Sequence, residues 1–291
     1  MRLCTGGQPA ARLFTTCAAA LLDAHRGQAA AAFIADNASR FPDAATVHDC
    51  LARARYETGD FREAFRHKQG AVSQRGGQEP ERPPARFSPD AAVGALRGIG
   101  EILDAAGIPF FLAAGTLLGF DRSGQPLPYD RDVDIGILAG PDQLTDMART
   151  IRNHSSLMLA RRARPADRYF ALTFKGIGVD IFLYEPSGDA LHCGLGRLAG
   201  DVAWRFTPFR LKTASFNGAT WPIPDNPERY LAETYGPGWQ KPDRGFASVI
   251  SSPALYQVDP YPRAYYAISR ADKALRQGDS VKAAALLRQS P

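Results

Sequence analysis

Between Phe110 and Gly136 the chain reads FFLAAGTLLGFDRSGQPLPYDRDVDIG, and the end of this stretch places acids at alternate positions, Asp130, Asp132 and Asp134. Asp132 and Asp134 sit in the apolar frame Asp132-Val133-Asp134-Ile135-Gly136-Ile137. Side chains alternate faces along a strand, so the two carboxylates share one face while Val133 and Ile135 point into a core. Two carboxylates on one face repel, and a divalent cation is the usual means of neutralising both. This strand therefore points to metal-assisted phosphoryl chemistry.

The segments around it read in a definite order. Ser88-Pro89-Asp90 opens a helix with Pro in its first turn, and Ala91, Leu96, Ile99, Ile102 and Leu103 form its apolar stripe. Gly107 ends that helix, and Ile108 to Leu112 reads as a strand. The small-residue turn Gly115-Thr116, a short helix and the acidic strand follow. Further on, Asp180 lies alone in the apolar run Lys175-Gly176-Ile177-Gly178-Val179-Asp180-Ile181-Phe182-Leu183, where a charge is costly unless it is paired or coordinated.

Strand, Gly-Thr turn, short helix and a strand carrying Asp-x-Asp together resemble the nucleotidyltransferase superfamily typified by DNA polymerase β. The resemblance implies that Gly115 and Thr116 cradle a donor phosphate. It implies that Asp132 and Asp134 hold Mg²⁺, with Mn²⁺ as the alternative ion, and that Asp180 completes the metal shell from a neighbouring strand. These three acids are the expected catalytic and metal-binding residues.

A closer resemblance is to the LicD/fukutin family of phosphotransferases. It is carried by Gly115-Thr116-Leu117-Leu118-Gly119, by Arg122, and by Pro128-Tyr129-Asp130-Arg131-Asp132-Val133-Asp134-Ile135-Gly136. Val179 to Phe182 matches a following strand, and Ile223-Pro224, Glu228-Arg229-Tyr230-Leu231, Tyr235-Gly236, Trp239 and Pro242 match a distal signature. Tyr129 stands where the family has Trp, and Arg131 replaces one acid of the run; alternation points Arg131 away from Asp132 and Asp134.

What this resemblance implies is transfer of a phospho-alcohol (phosphocholine, or a pentitol or glycerol phosphate) from a CDP-activated donor to a hydroxyl of a glycan or lipid-linked glycan. Arg122 is then a candidate phosphate clamp, since a guanidinium binds phosphate in a bidentate manner. Asp130 either orients a ligand or Arg122 or is a turn residue, and Lys175 is a candidate phosphate contact beside Arg210 and Lys212. Trp239 with Tyr235-Gly236 is expected to pack a helix end against the core. One rival is nucleotidylyl transfer to a small molecule or protein. The other is a non-catalytic binding protein with a degenerate core.

The flanks read as helical. In residues 1–75, Gly27 and Gly59 hold similar places in two helix-turn-helix units, Gly27 to Phe41 forming an Ala-rich helix and His48 to Thr58 pairing with Phe61 to Val72. With Tyr56, Ala64 and Pro42 these units weakly resemble tetratricopeptide repeats. Residues 76–89 are rich in Gly, Pro and charge and read as a linker. Residues 90–255 are expected to be the catalytic domain, and residues 256–291 a second helical pair. The expected fold is an α/β (α+β) nucleotidyltransferase core with a mixed sheet, between helical, repeat-like flanks.

Composition narrows the partners. A net charge of +5 suits anionic ligands, yet the excess is modest and spread out, which disfavours nucleic acid. The basic segment RRARPADR, residues 161–168, is a candidate contact for an anionic acceptor or an inner membrane face, and the helical flanks are candidates for a protein contact. Cys4, Cys17, Cys50 and Cys193 form no C-x-x-C pair, so neither a zinc site nor a disulfide framework is expected. No apolar run reaches the roughly 20 residues a membrane helix needs, and a cytoplasmic location is expected.

Overall fold

The computed structural model describes residues 7–75, 88–128, 130–159, 163–164 and 167–291. Most of the expected linker, Tyr129 and part of the basic segment 161–168 lie outside the described residues. The chain forms two compact units, one of residues 84–258 and one of residues 1–83 with 259–291.

The helical unit begins with α1 (Gly7–Asp23), α2 (Gly27–Asp36), a single 3₁₀ turn (Ala38–Arg40), α3 (Ala44–Glu57) and α4 (Phe61–Gln74). Asp43 accepts a hydrogen bond from the Thr46 N–H and so starts α3 at Ala44, ahead of the expected His48. Asp60 caps α4 in the same way through the Glu63 N–H. Small residues let these helices approach closely. Ala18, Ala30 and Ala54 are buried with Leu22 and Ile34, and a Cβ on Gly27 would lie 2.8 Å from Glu57 Cγ.

The middle unit opens with α5 (Pro89–Ala105), capped by the Ser88 side chain on the Ala91 N–H. There follow β1 (Phe111–Leu112), α6 (Ala114–Ser123), β2 (Asp132–Leu138), α7 (Pro141–Asn153), β3 (Met158–Leu159), β4 (Tyr169–Phe174), β5 (Ile177–Ser187), β6 (Ala190–Gly194), β7 (Ala203–Phe206), the ribbon β8 (Leu211–Phe216) and β9 (Ala219–Pro224), α8 (Pro227–Tyr235) and α9 (Ser248–Ser251). The main sheet runs β1-β2-β5-β4-β3, and β6 and β7 extend it from the far end of β5. It is a mixed sheet: β2 and β5 are parallel, while β1, β3, β4, β6 and β7 pair antiparallel.

Two expectations shift here. The strand expected over Ile108 to Leu112 pairs only through Phe111 and Leu112, opposite Gly136 and Ile135. Phe110 instead packs its ring beneath α5, where a Cβ on Gly100 would lie 2.9 Å from it. Lys175 and Gly176, read as the start of a strand, are the turn between β4 and β5. Their φ values of +49° and +83° fit a two-residue hairpin loop.

The helical unit is completed by α10 (Pro260–Arg276) and α11 (Ser280–Arg288). Neighbouring helices pack in series, α1 on α2, α2 on α3, α3 on α4, α4 on α10 and α10 on α11. Tyr56 of α3 meets Tyr265 with ring centroids 4.8 Å apart. Arg75, just past α4, pairs with Asp49 and, at 2.7 Å, with Asp272 of α10. Among the described residues no helix is long and apolar enough to cross a membrane.

Candidate active site

The parallel register of β2 and β5 builds the site. It sets Asp134 beside Asp180 and Asp132 beside Gly178. Residues aligned on neighbouring strands project to the same face, and such strands lie roughly 4.7–4.9 Å apart. Gly178 presents no side chain there, and a Cβ on it would come within 3.2 Å of Asp132 Cβ. Asp130 stands just ahead of β2, its N–H bonded to Leu127 O at 3.0 Å.

Asp134 is gripped by the turn that opens α6. The Ala113 N–H donates to Asp134 O at 3.2 Å, the Asp134 N–H donates to Thr116 Oγ1 at 2.7 Å, and the Gly115 N–H donates to Asp134 Oδ2 at 2.8 Å. Glycine leaves room in this turn, since a Cβ on Gly115 would stand 2.9 Å from both Asp130 Oδ2 and Asp134 Oδ2. Thr116 is fully buried. Gly115 and Thr116, expected to cradle phosphate, here orient a carboxylate. Burial leaves the Thr116 oxygen facing the Asp134 backbone.

The electrostatics follow from this crowding. Burial pushes the Asp134 carboxyl well above its usual range, and Asp132, Asp130 and Asp180 add to the rise against the Gly115 N–H, which lowers it. Burial, then the charge of Asp132, raises Asp130 to about 7. Burial and mutual repulsion together disfavour ionising Asp130 and Asp134.

A divalent cation would relieve that cost, and the donor set, all hard carboxylate oxygen, suits Mg²⁺ or Mn²⁺. Among the described residues, however, no three His, Cys, Asp or Glu side chains are drawn together into a ready metal cage. Several carboxylate oxygens are already engaged: Asp134 Oδ2 accepts from the Gly115 N–H, Asp180 Oδ1 from the Tyr169 hydroxyl at 3.0 Å, and Asp130 Oδ1 from the Arg131 N–H at 3.1 Å.

The other expected contacts lie away from the acids or have other partners. Arg122 lies in the last turn of α6 and donates through Nη2 to the carbonyls of Trp239 and Lys241, so this guanidinium ties down the chain after α8. Lys175 is exposed in the β4–β5 turn, its ammonium 5.2 Å from the Phe174 ring. Arg210 and Lys212 are exposed at the start of the β8–β9 ribbon. Trp239 is buried, matching its expected packing role.

Four tyrosines at this site escaped sequence reasoning. Tyr169 bonds Asp180. Tyr230 of α8 accepts a hydrogen bond from the Ala114 N–H at 3.1 Å, and its hydroxyl lies 2.7 Å from that of Tyr184 on β5. Burial, then the nearby charge of Asp134, raises the Tyr235 phenol well above its usual value. Tyr230 stood within the distal signature without a role, and Tyr235 had only the expected packing role beside Trp239. Nothing in the sequence pointed to Tyr169 or Tyr184.

Residues 107–226 match the family model for the LicD/FKTN/FKRP nucleotidyltransferase domain. Over 145 residues the chain is 27% identical to the ribitol-5-phosphate transferase FKTN of Macaca fascicularis, covering 48% of this chain and 31% of that protein. The mouse FKTN, also a ribitol-5-phosphate transferase, is 28% identical over 141 residues. A shorter stretch of 56 residues is 41% identical to the human ribitol 5-phosphate transferase FKRP, covering 18% of this chain and 11% of that protein. The chain thus matches about a third of the length of its FKTN relatives.

Proposed function

We propose, from the match of residues 107–226 to the LicD/FKTN/FKRP nucleotidyltransferase domain, that this chain is a phosphotransferase moving a phospho-alcohol from a CDP-activated donor to a hydroxyl of a glycan or related acceptor. The observation that carries the reading is the paired register of Asp134 and Asp180 on parallel strands, with Asp132 and Asp130 beside them.

Asp132, Asp134 and Asp180 would hold a divalent cation through their carboxylate oxygens. That ion, when bound, supplies neutralisation of the donor pyrophosphate and stabilises the departing nucleotide. The chain's own residues do the rest. Gly115 and Thr116 fix the orientation of Asp134, and the Tyr169 hydroxyl fixes Asp180. The acceptor hydroxyl oxygen bonds to the phosphorus bearing the alcohol while the bond to CMP breaks. Asp180 is our candidate for taking the hydroxyl proton. Ribitol phosphate is the first cargo to try, because the relatives are ribitol-5-phosphate transferases.

The test is product analysis. The protein is incubated with Mg²⁺ or Mn²⁺, an oligosaccharide acceptor and, in turn, CDP-ribitol, CDP-glycerol, CDP-choline or CTP. Acceptor-dependent release of CMP from one CDP-alcohol, lost in Asp134→Asn, is the expected result. Release of pyrophosphate from CTP with transfer of the nucleotide would replace this reading with nucleotidylyl transfer.

A further inference from the structure

We propose that Tyr230 is a positioning residue, whose hydroxyl holds a strained turn at Ala114 and thereby aims the Gly115 N–H at Asp134. Ala114 has φ +37°, a left-handed conformation that a residue with a Cβ adopts only when its surroundings impose it. It is also the first residue of α6, where backbone N–H groups lack partners within the helix. Its N–H finds an acceptor in Tyr230, at 3.1 Å. The next amide, that of Gly115, donates to Asp134 Oδ2 at 2.8 Å. Two successive N–H groups thus have fixed and different targets, and the first sets the direction of the second.

Tyr230 is well placed to impose this conformation. It is 2% exposed, and its ring stacks on Phe206 at 5.2 Å and meets Phe111 and Phe209 edge-on. Its hydroxyl is steadied from the sheet by the Tyr184 hydroxyl at 2.7 Å. Tyr184 lies on β5, the strand that carries Asp180. One phenol therefore joins α8, β5 and the turn before α6. Its importance to turnover rests on the reading of the acid cluster as the reactive site; its grip on the turn does not.

The experiment separates the two. Amide hydrogen exchange over residues 112–118 is followed in the full chain, alongside CMP release, for Tyr230→Phe, Tyr184→Phe, and Tyr230→Phe combined with Ala114→Gly. Loss of the acceptor in Tyr230→Phe should speed exchange at Ala114 and Gly115 by about tenfold, the scale of one buried hydrogen bond. Protection in β2 and β5 should persist. kcat should fall by about tenfold with little change in donor KM, the signature of a lost orienting contact. Tyr184→Phe keeps the acceptor and removes only its support, so it should speed exchange at the two amides less than Tyr230→Phe does. Glycine adopts positive φ without strain, so Ala114→Gly in the Tyr230→Phe background should restore the Gly115 amide and most of kcat.

Unchanged exchange at Ala114 and Gly115 in Tyr230→Phe would overturn the proposal. So would a loss of protection throughout the middle unit that Ala114→Gly does not reverse, since Tyr230 would then be a packing residue. Faster exchange at the two amides with kcat untouched would support the grip on the turn and overturn its part in positioning Asp134 for turnover.

Discussion

Gly115 shows how tightly single residues are constrained around the acids. A Cβ there would meet the ends of two carboxylates, Asp130 Oδ2 and Asp134 Oδ2, each at 2.9 Å. Carboxylate ends can swing aside, so Gly115→Ala should cost only about 1–2 kcal/mol of stability. Displacing Asp134 should matter far more for turnover, because misplacement by about 1 Å costs on the order of 100-fold. Thermal unfolding and CMP release measured on the same variant check the contrast; a variant as active as wild type would remove Asp134 from the reaction.

The raised pKa of Asp130, about 7 in the folded chain, also has a sign. A carboxyl whose folded value lies above its unfolded value binds more protons when folded, so its contribution to stability is lost as pH rises from about 4 to about 7. Metal-free wild-type protein should therefore lose stability relative to Asp130→Asn between pH 5 and pH 8. Mn²⁺ should raise the wild-type melting temperature more at pH 8, where the cluster is ionised, than at pH 5. Melting curves of both proteins at the two pH values make the measurement, and parallel pH dependence in the two would count against the cluster's coupling.

At the scale of elements, the site depends on strands that approach without side chains in between. Gly136 on β2 faces the Phe111 ring on β1, and a Cβ would lie only 2.1 Å from it. A rigid, buried ring cannot swing away as a carboxylate can. Gly136→Ala should therefore destabilise the middle unit by about 2–3 kcal/mol, near the upper end for an overpacked core. Denaturant unfolding with a lowered midpoint and an unchanged slope would bear this out. A loss below about 0.5 kcal/mol would show that β1 can lift off β2 freely.

At the scale of the whole molecule, the chain leaves the helical unit near residue 83 and returns to it at residue 259. The two helical segments are joined by a charged contact as well as by the Tyr56 cluster. The Asp272 side chain is 6% exposed and pairs with Arg75 at 2.7 Å, with Arg276 at 3.6 Å. Removing one partner of a buried ion pair leaves a poorly compensated charge. Arg75→Ala should cost the helical unit about 3 kcal/mol, discounted to the extent that Arg276 takes over. Hydrogen exchange in α3, α4 and α10 should accelerate together, and a change confined to α4 would show that Arg75 does not link the segments.

Much of the candidate site was legible in the sequence because its signals are local. Acids alternating with Val133 and Ile135 could only share one strand face, and Asp180 in an apolar run could only be tolerated beside something that compensates it. The Ser88 cap and the Gly107 stop (φ +69°) bound α5 for equally local reasons. The tertiary structure decided what depends on packing between distant segments. The register that sets Asp134 against Asp180 lies between strands, and the bond from Ala114 to Tyr230 spans 116 positions of sequence. Arg122 was singled out for guanidinium chemistry that suits phosphate, and only the packed end of α6 shows that its Nη2 also meets the carbonyls of Trp239 and Lys241. Periodicity and capping report how a segment folds, whereas the partner of a long polar side chain is settled only when its neighbours arrive.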